Sequence, residues 1–131
     1  MKILIDTQIF LWALTEPNRL GEEAKKILKT KNNQLYLSAA SSWEICIKAS
    51  LNKLPLPESP DSYISSRMER LSILPLAIRH HHTFGIFELP MHRRDPFDRI
   101  LIAQARAEKF HLMSADKLFK LYEVDLIWGL D

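Results

Sequence analysis

Short apolar runs alternate with longer segments of helical pattern along nearly the whole chain, and that alternation constrains the fold more than any other feature of the sequence. Lys2–Ile5, Gln34–Leu37, His111–Met113 and Val124–Ile127 read as strands, and Ile73–Leu76 is a further short apolar segment. Between them, helical patterns run over Thr7–Leu14, Glu22–Lys31, Ala39–Leu51, Ser62–Leu71, Arg79–Phe87 and Pro96–Phe110, with a short helix at Lys117–Leu121. Ala24, Ile27 and Leu28 mark the inward face of the second helix. Strands separated by helices have to lie mostly parallel, with helices covering both faces of the sheet. The expectation is an α/β fold of three layers, whose ligands bind outside the carboxyl ends of the strands.

No repeat, low-complexity tract or long linker interrupts the pattern, so residues 1–131 read as a single domain. With 47% hydrophobic and 26% charged residues, the composition argues against disorder, and a net charge of +2 permits an anionic partner without requiring one. The one cysteine, Cys46, excludes an internal disulfide and fits a reducing compartment; its neighbours Ile45 and Ile47 predict a buried, inert thiol. Asp6 breaks the N-terminal apolar run too early for a signal peptide, and no stretch reaches membrane-spanning length. A cytoplasmic protein is expected.

The acids carry the chemistry. Asp6 directly follows the first strand and Asp116 follows the His111–Met113 strand, so both belong at the carboxyl edge of the sheet. Each also precedes a helical segment, where Asp is a favoured N-cap. Asp95 fits an N-cap with Pro96 at the first helical position, and Asp98 stands either as a capping-box acid or at the flank of the buried helix face. Glu44 is hardest to explain by local structure. At helical spacing it shares a face with Ala40, Ile47 and Leu51, and pairing with Lys48 at i+4 yields only about 0.2–0.5 kcal/mol. A carboxylate on an apolar stripe needs a partner, a proton or a metal.

If Asp6, Glu44, Asp98 and Asp116 converge, two unit charges about 4 Å apart repel by roughly 4 kcal/mol at an effective dielectric of about 20. Such a cluster calls for a cation. Oxygen donors without an organised Cys/His set select Mg²⁺ or Mn²⁺ over zinc, and such an ion suits phosphodiester hydrolysis. His92, Arg93, Arg94 and Arg99 form a basic stretch around the acids, and Arg93, Arg94 and Arg99 are candidates for holding substrate phosphates. Consecutive helical residues point in different directions, so His80-His81-His82 is read as a polar helix start rather than a chelating set. Trp12, Trp43 and Trp128 read as core or interface. There is no Gly-rich phosphate loop, and Ser41, Ser42 and Ser114 lack the setting of a nucleophile elbow.

Taken in order, Ile3-Leu4-Ile5-Asp6-Thr7, Ser41-Ser42-Trp43-Glu44-Ile45, Leu89-Pro90 with His92, Asp95-Pro96-Phe97-Asp98-Arg99 through Ala105, and Ser114-Ala115-Asp116 resemble the PIN-domain family, and within it the VapC-type toxins. The resemblance implies a PIN-like three-layer fold and Mg²⁺- or Mn²⁺-dependent endonucleolytic cleavage of RNA. It also implies dimerisation and inhibition by a cognate antitoxin protein. Asp6, Glu44, Asp98 and Asp116 match the family's acids, Thr7 and Ser114 match polar positions beside them, and Asp95 is an extra carboxylate that either joins the metal site or caps the helix. Two other readings use the same fold: a non-catalytic RNA- or protein-binding domain whose acids are caps, and a structure-specific DNA nuclease.

Overall fold

A computed structural model describes residues 1–131 and places the predicted strands in one five-stranded sheet. The strands are β1 (Lys2–Ile5), β2 (Gln34–Ser38), β3 (Ile73–Leu76), β4 (His111–Ser114) and β5 (Leu126–Trp128). Their spatial order is β3-β2-β1-β4-β5 and every pairing is parallel. β1 lies at the centre, with Ile5 opposite Leu37 on one side and Met113 on the other. The chain works outward through β2 and β3, then crosses over to β4. The carboxyl ends of β1 and β4 therefore flank the point where strand order reverses, which is where open α/β sheets form their crevice.

Six helices cover the sheet: α1 (Thr7–Thr15), α2 (Glu22–Lys29), α3 (Ala39–Ser50), α4 (Pro60–Arg70), α5 (His80–Ile86) and α6 (Pro96–Glu108). Side-chain alternation sorts the core into two halves. Ile3, Ile5, Leu35, Leu37 and Met113 point to one face, where they meet Ile9 and Phe10 of α1, Ala24 of α2 and Tyr63 and Ile64 of α4. Leu4 and Leu112 point to the other, against Leu101, Ile102 and Ala105 of α6. α3 bridges the two, giving Ala40 to the second half and Ile45 to the first. The expected three-layer, PIN-like α/β arrangement is what the structure shows.

Local chemistry explains the small boundary shifts. α4 begins at Pro60 rather than Ser62, because proline at the first helical position loses no bond and is already at helical φ. α6 stops at Glu108, two residues short of the pattern, as Lys109 turns left-handed at φ 58° and closes the helix. Lys117–Leu121 is a 3-10 turn, and β5 starts at Leu126 because Val124 is taken into a tight turn on Tyr122. The Gly129 N–H bonds to the Ser114 carbonyl at 2.8 Å, and a Cβ there would meet the Ile9 side-chain terminus at 2.6 Å, so a larger residue would have to displace Ile9 to keep this approach to the end of β4. No helix is long and apolar enough to cross a membrane.

Candidate functional site

The carboxyl edge of the sheet opens into a cavity of about 600 Å³, and its walls carry all five of the acids singled out above: Asp6, Glu44, Asp95, Asp98 and Asp116. Lys48, Arg93 and Lys117 supply its positive charge, and Thr7, Gln8, Leu11, Trp12 and Ala115 complete the lining.

β1 delivers Asp6. Its backbone N–H bonds to the Met113 carbonyl at 3.1 Å, extending the β1–β4 pairing to the edge of the sheet, and its Oδ1 accepts the Ile9 N–H at 2.8 Å. Asp6 is therefore a helix cap, as local reasoning allowed, but capping engages one oxygen and leaves the other available. Only 6% exposed, its carboxyl is pushed up to about 7. Desolvation is the largest cause, hydrogen bonds from Ser114 and the Ile9 backbone oppose it, and the charges of Asp98 and Asp116 add to it. Ser114, fully buried, also accepts the Asp116 N–H at 3.0 Å, so it links the Asp6 carboxyl to the Asp116 backbone. Thr7 donates to Ser41 Oγ at 2.9 Å, fastening the start of α1 to the start of α3.

α3 is capped by Ser38, whose Oγ accepts the Ala40 N–H at 3.0 Å, and its second turn presents Glu44 to the cavity. The Glu44 side chain is 14% exposed and meets Lys48 Nζ at 3.1 Å. The stripe predicted for it is shorter than expected, since Leu51 is exposed. α6 supplies the remaining pair. Asp95 Oδ1 accepts the N–H groups of Phe97 and Asp98 at 2.8 and 3.3 Å, so it caps the helix while lining the cavity. Burial pushes the Asp98 carboxyl up to about 6, against the opposing hydrogen bond from Arg93. Asp116 Oδ1 caps the 3-10 turn through the Leu118 N–H at 3.0 Å.

The three arginines proposed for phosphate contact go to three different places. Arg93 lies across the acids, its Nε donating to Asp98 at 2.7 Å and its Nη2 to Asp116. Hydrogen bonding to Asp98 holds its guanidinium further above its already high range. Arg94 is exposed and outside the cavity lining. Arg99 overturns its assignment: it is buried, and its guanidinium donates to the carbonyls of Pro90, Arg93 and Ile86 at 3.0, 3.1 and 3.2 Å. Its planar donors suit it to a loop full of carbonyls, and both terminal nitrogens are engaged there rather than in the cavity.

Other expectations are revised in detail. Cys46 is exposed, because the face of α3 that carries it turns to solvent. Trp43 is 60% exposed and rests edge-on against Phe97, while Trp12 packs against the core and also lines the cavity. His81 and His82 do converge, both placing Nε2 on Glu108, at 3.2 and 3.0 Å. Nδ1 of the fully buried His82 accepts the Arg79 N–H at 2.9 Å, which puts the ring proton on Nε2 and makes this a helix clamp rather than a set of free metal donors. Tyr122 was not foreseen. Its hydroxyl accepts the Arg93 N–H at 2.8 Å across 29 residues of sequence, and no local pattern signals such a contact.

The donor set fits a hard divalent cation. It consists of carboxylate oxygens with no thiolate or imidazole, and the Arg93 guanidinium already lies between two of them, which shows that the cluster takes up positive charge.

Comparison with known proteins bears on the family and the fold. The chain is 46% identical to Ribonuclease VapC16 of Mycobacterium tuberculosis over 61 residues, which are 47% of this chain and 43% of that relative, so the matched stretch spans less than half of it. Its fold resembles that of VapBC2 from Rickettsia felis bound to a promoter DNA fragment, with a TM-score of 0.75 and 19% identity over 98% of this chain and 99% of the other. VapBC-1 from nontypeable Haemophilus influenzae gives 0.65 and 15%, covering 99% and 98%. The description of the PIN domain matches residues 3–124, a span that runs from β1 past Asp116 and takes in every acid of the cavity. On that match the chain belongs to the PIN domain family.

Proposed function

We propose that this chain, a single nuclease domain over residues 1–131, is a cytoplasmic, divalent-metal-dependent endoribonuclease acting as the toxin of a toxin–antitoxin pair. The observation that carries the reading is the meeting of five carboxylates from β1, α3, α6 and the β4 edge in one cavity at the switch point of the sheet. Capping alone needs no such convergence. The name of the Mycobacterium tuberculosis relative supports a ribonuclease, and the similar fold of a toxin–antitoxin complex from Klebsiella pneumoniae, with a TM-score of 0.63 and 16% identity over 95% of each chain, supports an antitoxin partner.

In this reading Asp6, Glu44, Asp98 and Asp116 hold Mg²⁺ or Mn²⁺, directly or through water, and Asp95 both caps α6 and adds negative charge at the rim. When bound, such an ion supplies Lewis acidity, lowering the pKa of a water and polarising a phosphoryl oxygen. The chain's own residues do the rest. Ser114 holds the Asp116 backbone and Thr7 fastens the start of α1 to α3; Lys48, Arg93 and Lys117 attract and steady the phosphate backbone, with Arg94 available outside; Leu11 and Trp12 give the cavity an apolar wall. Arg99 has no contact with substrate and instead holds the loop that carries Arg93. A homodimer fits the exposed Trp43, Phe84 and Phe87, which a single copy leaves uncovered.

The test is cleavage of RNA by purified protein. Cleavage is expected with Mg²⁺ or Mn²⁺, is abolished by EDTA, and falls by roughly 100-fold or more in Asp6→Asn, since even outer-shell changes at metal sites cost about 10–100-fold. Equal cleavage in all three cases would remove the mechanism. The same assay on DNA separates a DNA nuclease, and failure to cleave either polymer would favour a binding domain.

A further inference from the structure

The segment Leu89–Asp95, between α5 and α6, is fastened from below. Arg99 reaches the carbonyls of Pro90 and Arg93, and Tyr122 receives the Arg93 N–H, so the Arg93 backbone is held on both sides. That anchoring aims the one flexible part of the residue, its side chain, into the cavity. There it engages Oδ2 of Asp98 and Oδ2 of Asp116, two carboxylates that the metal reading needs. A guanidinium and a divalent ion compete for the same carboxylate oxygens, because their like charges repel at such short range. A guanidinium released from carboxylates keeps a planar fork of donors that matches phosphate oxygens equally well.

Resting on the metal-nuclease reading, we infer that Arg93 is an exchangeable counter-ion: it neutralises Asp98 and Asp116 until a divalent ion takes them, and then turns to the substrate phosphate. The consequence is linkage. Metal has to displace Arg93, and a phosphodiester that receives the displaced guanidinium favours the metal-bound arrangement, so metal and RNA strengthen each other's binding. Without substrate the cavity holds metal weakly; with substrate it holds metal well. Lys48 on Glu44 is a weaker version of the same arrangement, half exposed and bound to a single acid.

Mn²⁺ affinity, read as free Mn²⁺ by electron paramagnetic resonance, tests this without turnover. Arg93→Gln is expected to bind Mn²⁺ at least about tenfold tighter than the wild type, the size of effect that removing one unit charge a few ångströms away produces. Tyr122→Phe, which loosens the anchor, is expected to shift in the same direction by less. A 2′-O-methyl RNA, resistant to cleavage, is expected to tighten Mn²⁺ binding to the wild type and not to Arg93→Gln. In the wild type itself, the Arg93 ¹⁵Nε–H resonance should move when Mg²⁺ saturates the site. Wild-type Mn²⁺ binding that Asp98→Asn weakens, combined with no tightening in Arg93→Gln or an unmoved Arg93 resonance, overturns the counter-ion role while leaving the nuclease reading intact. No Mn²⁺ binding by the wild type or Arg93→Gln overturns both.

Discussion

Asp6 is held where burial makes its ionisation costly. An acid whose folded-state pKa lies above its unfolded value keeps more protons in the native chain than in the unfolded one, so native stability falls as pH rises between the two values. For Asp6 that window runs from 3.8 to about 7, and for Asp98 from 3.8 to about 6. Metal-free protein in EDTA is therefore expected to lose on the order of 2 kcal/mol between pH 5 and pH 8, measured by urea denaturation, and Asp6→Asn to remove most of that slope. A stability that is flat or rising over this range would contradict the burial argument. Arg93 and Arg99 show how far one residue type can diverge within a single turn of chain. The first spends its donors on carboxylates in an open cavity, the second on buried carbonyls.

α6 carries Asp95 and Asp98 at its N-terminus, and its position depends on the helix packed beside it. α5 docks on α6 through His82, fully buried, whose Nε2 meets Glu108 at 3.0 Å near the end of α6. Hydrogen bonds from His82 and His81 hold the Glu108 carboxyl below its usual range. Glu108→Ala leaves a buried imidazole N–H without a partner, and is expected to cost about 1–3 kcal/mol in chemical denaturation. A change below about 0.5 kcal/mol would mean that solvent reaches His82. At the other end, Asp95 and Pro96 start α6 at a defined residue, and that start sets where Asp98 enters the cavity.

Strand order brings the acids together. Had β4 added beside β3 instead of crossing to the far side of β1, β3 and β2 would both stand between Asp116 and Asp6. The result is a crevice that concentrates negative charge in a chain whose net charge is +2. An ion that binds only the native state stabilises it by mass action, about 2.7 kcal/mol at 100 times its dissociation constant. Mn²⁺ is therefore expected to raise the thermal midpoint of the wild type, and to raise that of Asp116→Asn much less, as followed by circular dichroism. Equal shifts in the two proteins would place the ion elsewhere.

Much of this was legible from residue order alone. The apolar runs and the helical periodicities marked four of the five strands and all six α-helices to within a few residues, and left Ile73–Leu76 as an apolar segment, because both signals arise from which side chains face water in each period of the backbone. The acids at Asp6, Asp98 and Asp116 could be placed at the sheet edge because they follow strands or open a helix. What the linear chain could not reveal was who neutralises whom. Arg93, Arg94 and Arg99 look alike in sequence; the fold buries one, exposes another and lays the third across two acids. Cys46 and Leu51 lie exposed for a related reason: an apolar neighbourhood in sequence says nothing about how wide a stripe the neighbouring layer covers. Periodicity is local and survives in the unfolded chain's own pattern, so sequence determined the elements and their order. Charge pairing and burial depend on distances between segments as remote as Arg93 and Tyr122, and only the packed tertiary structure decides those.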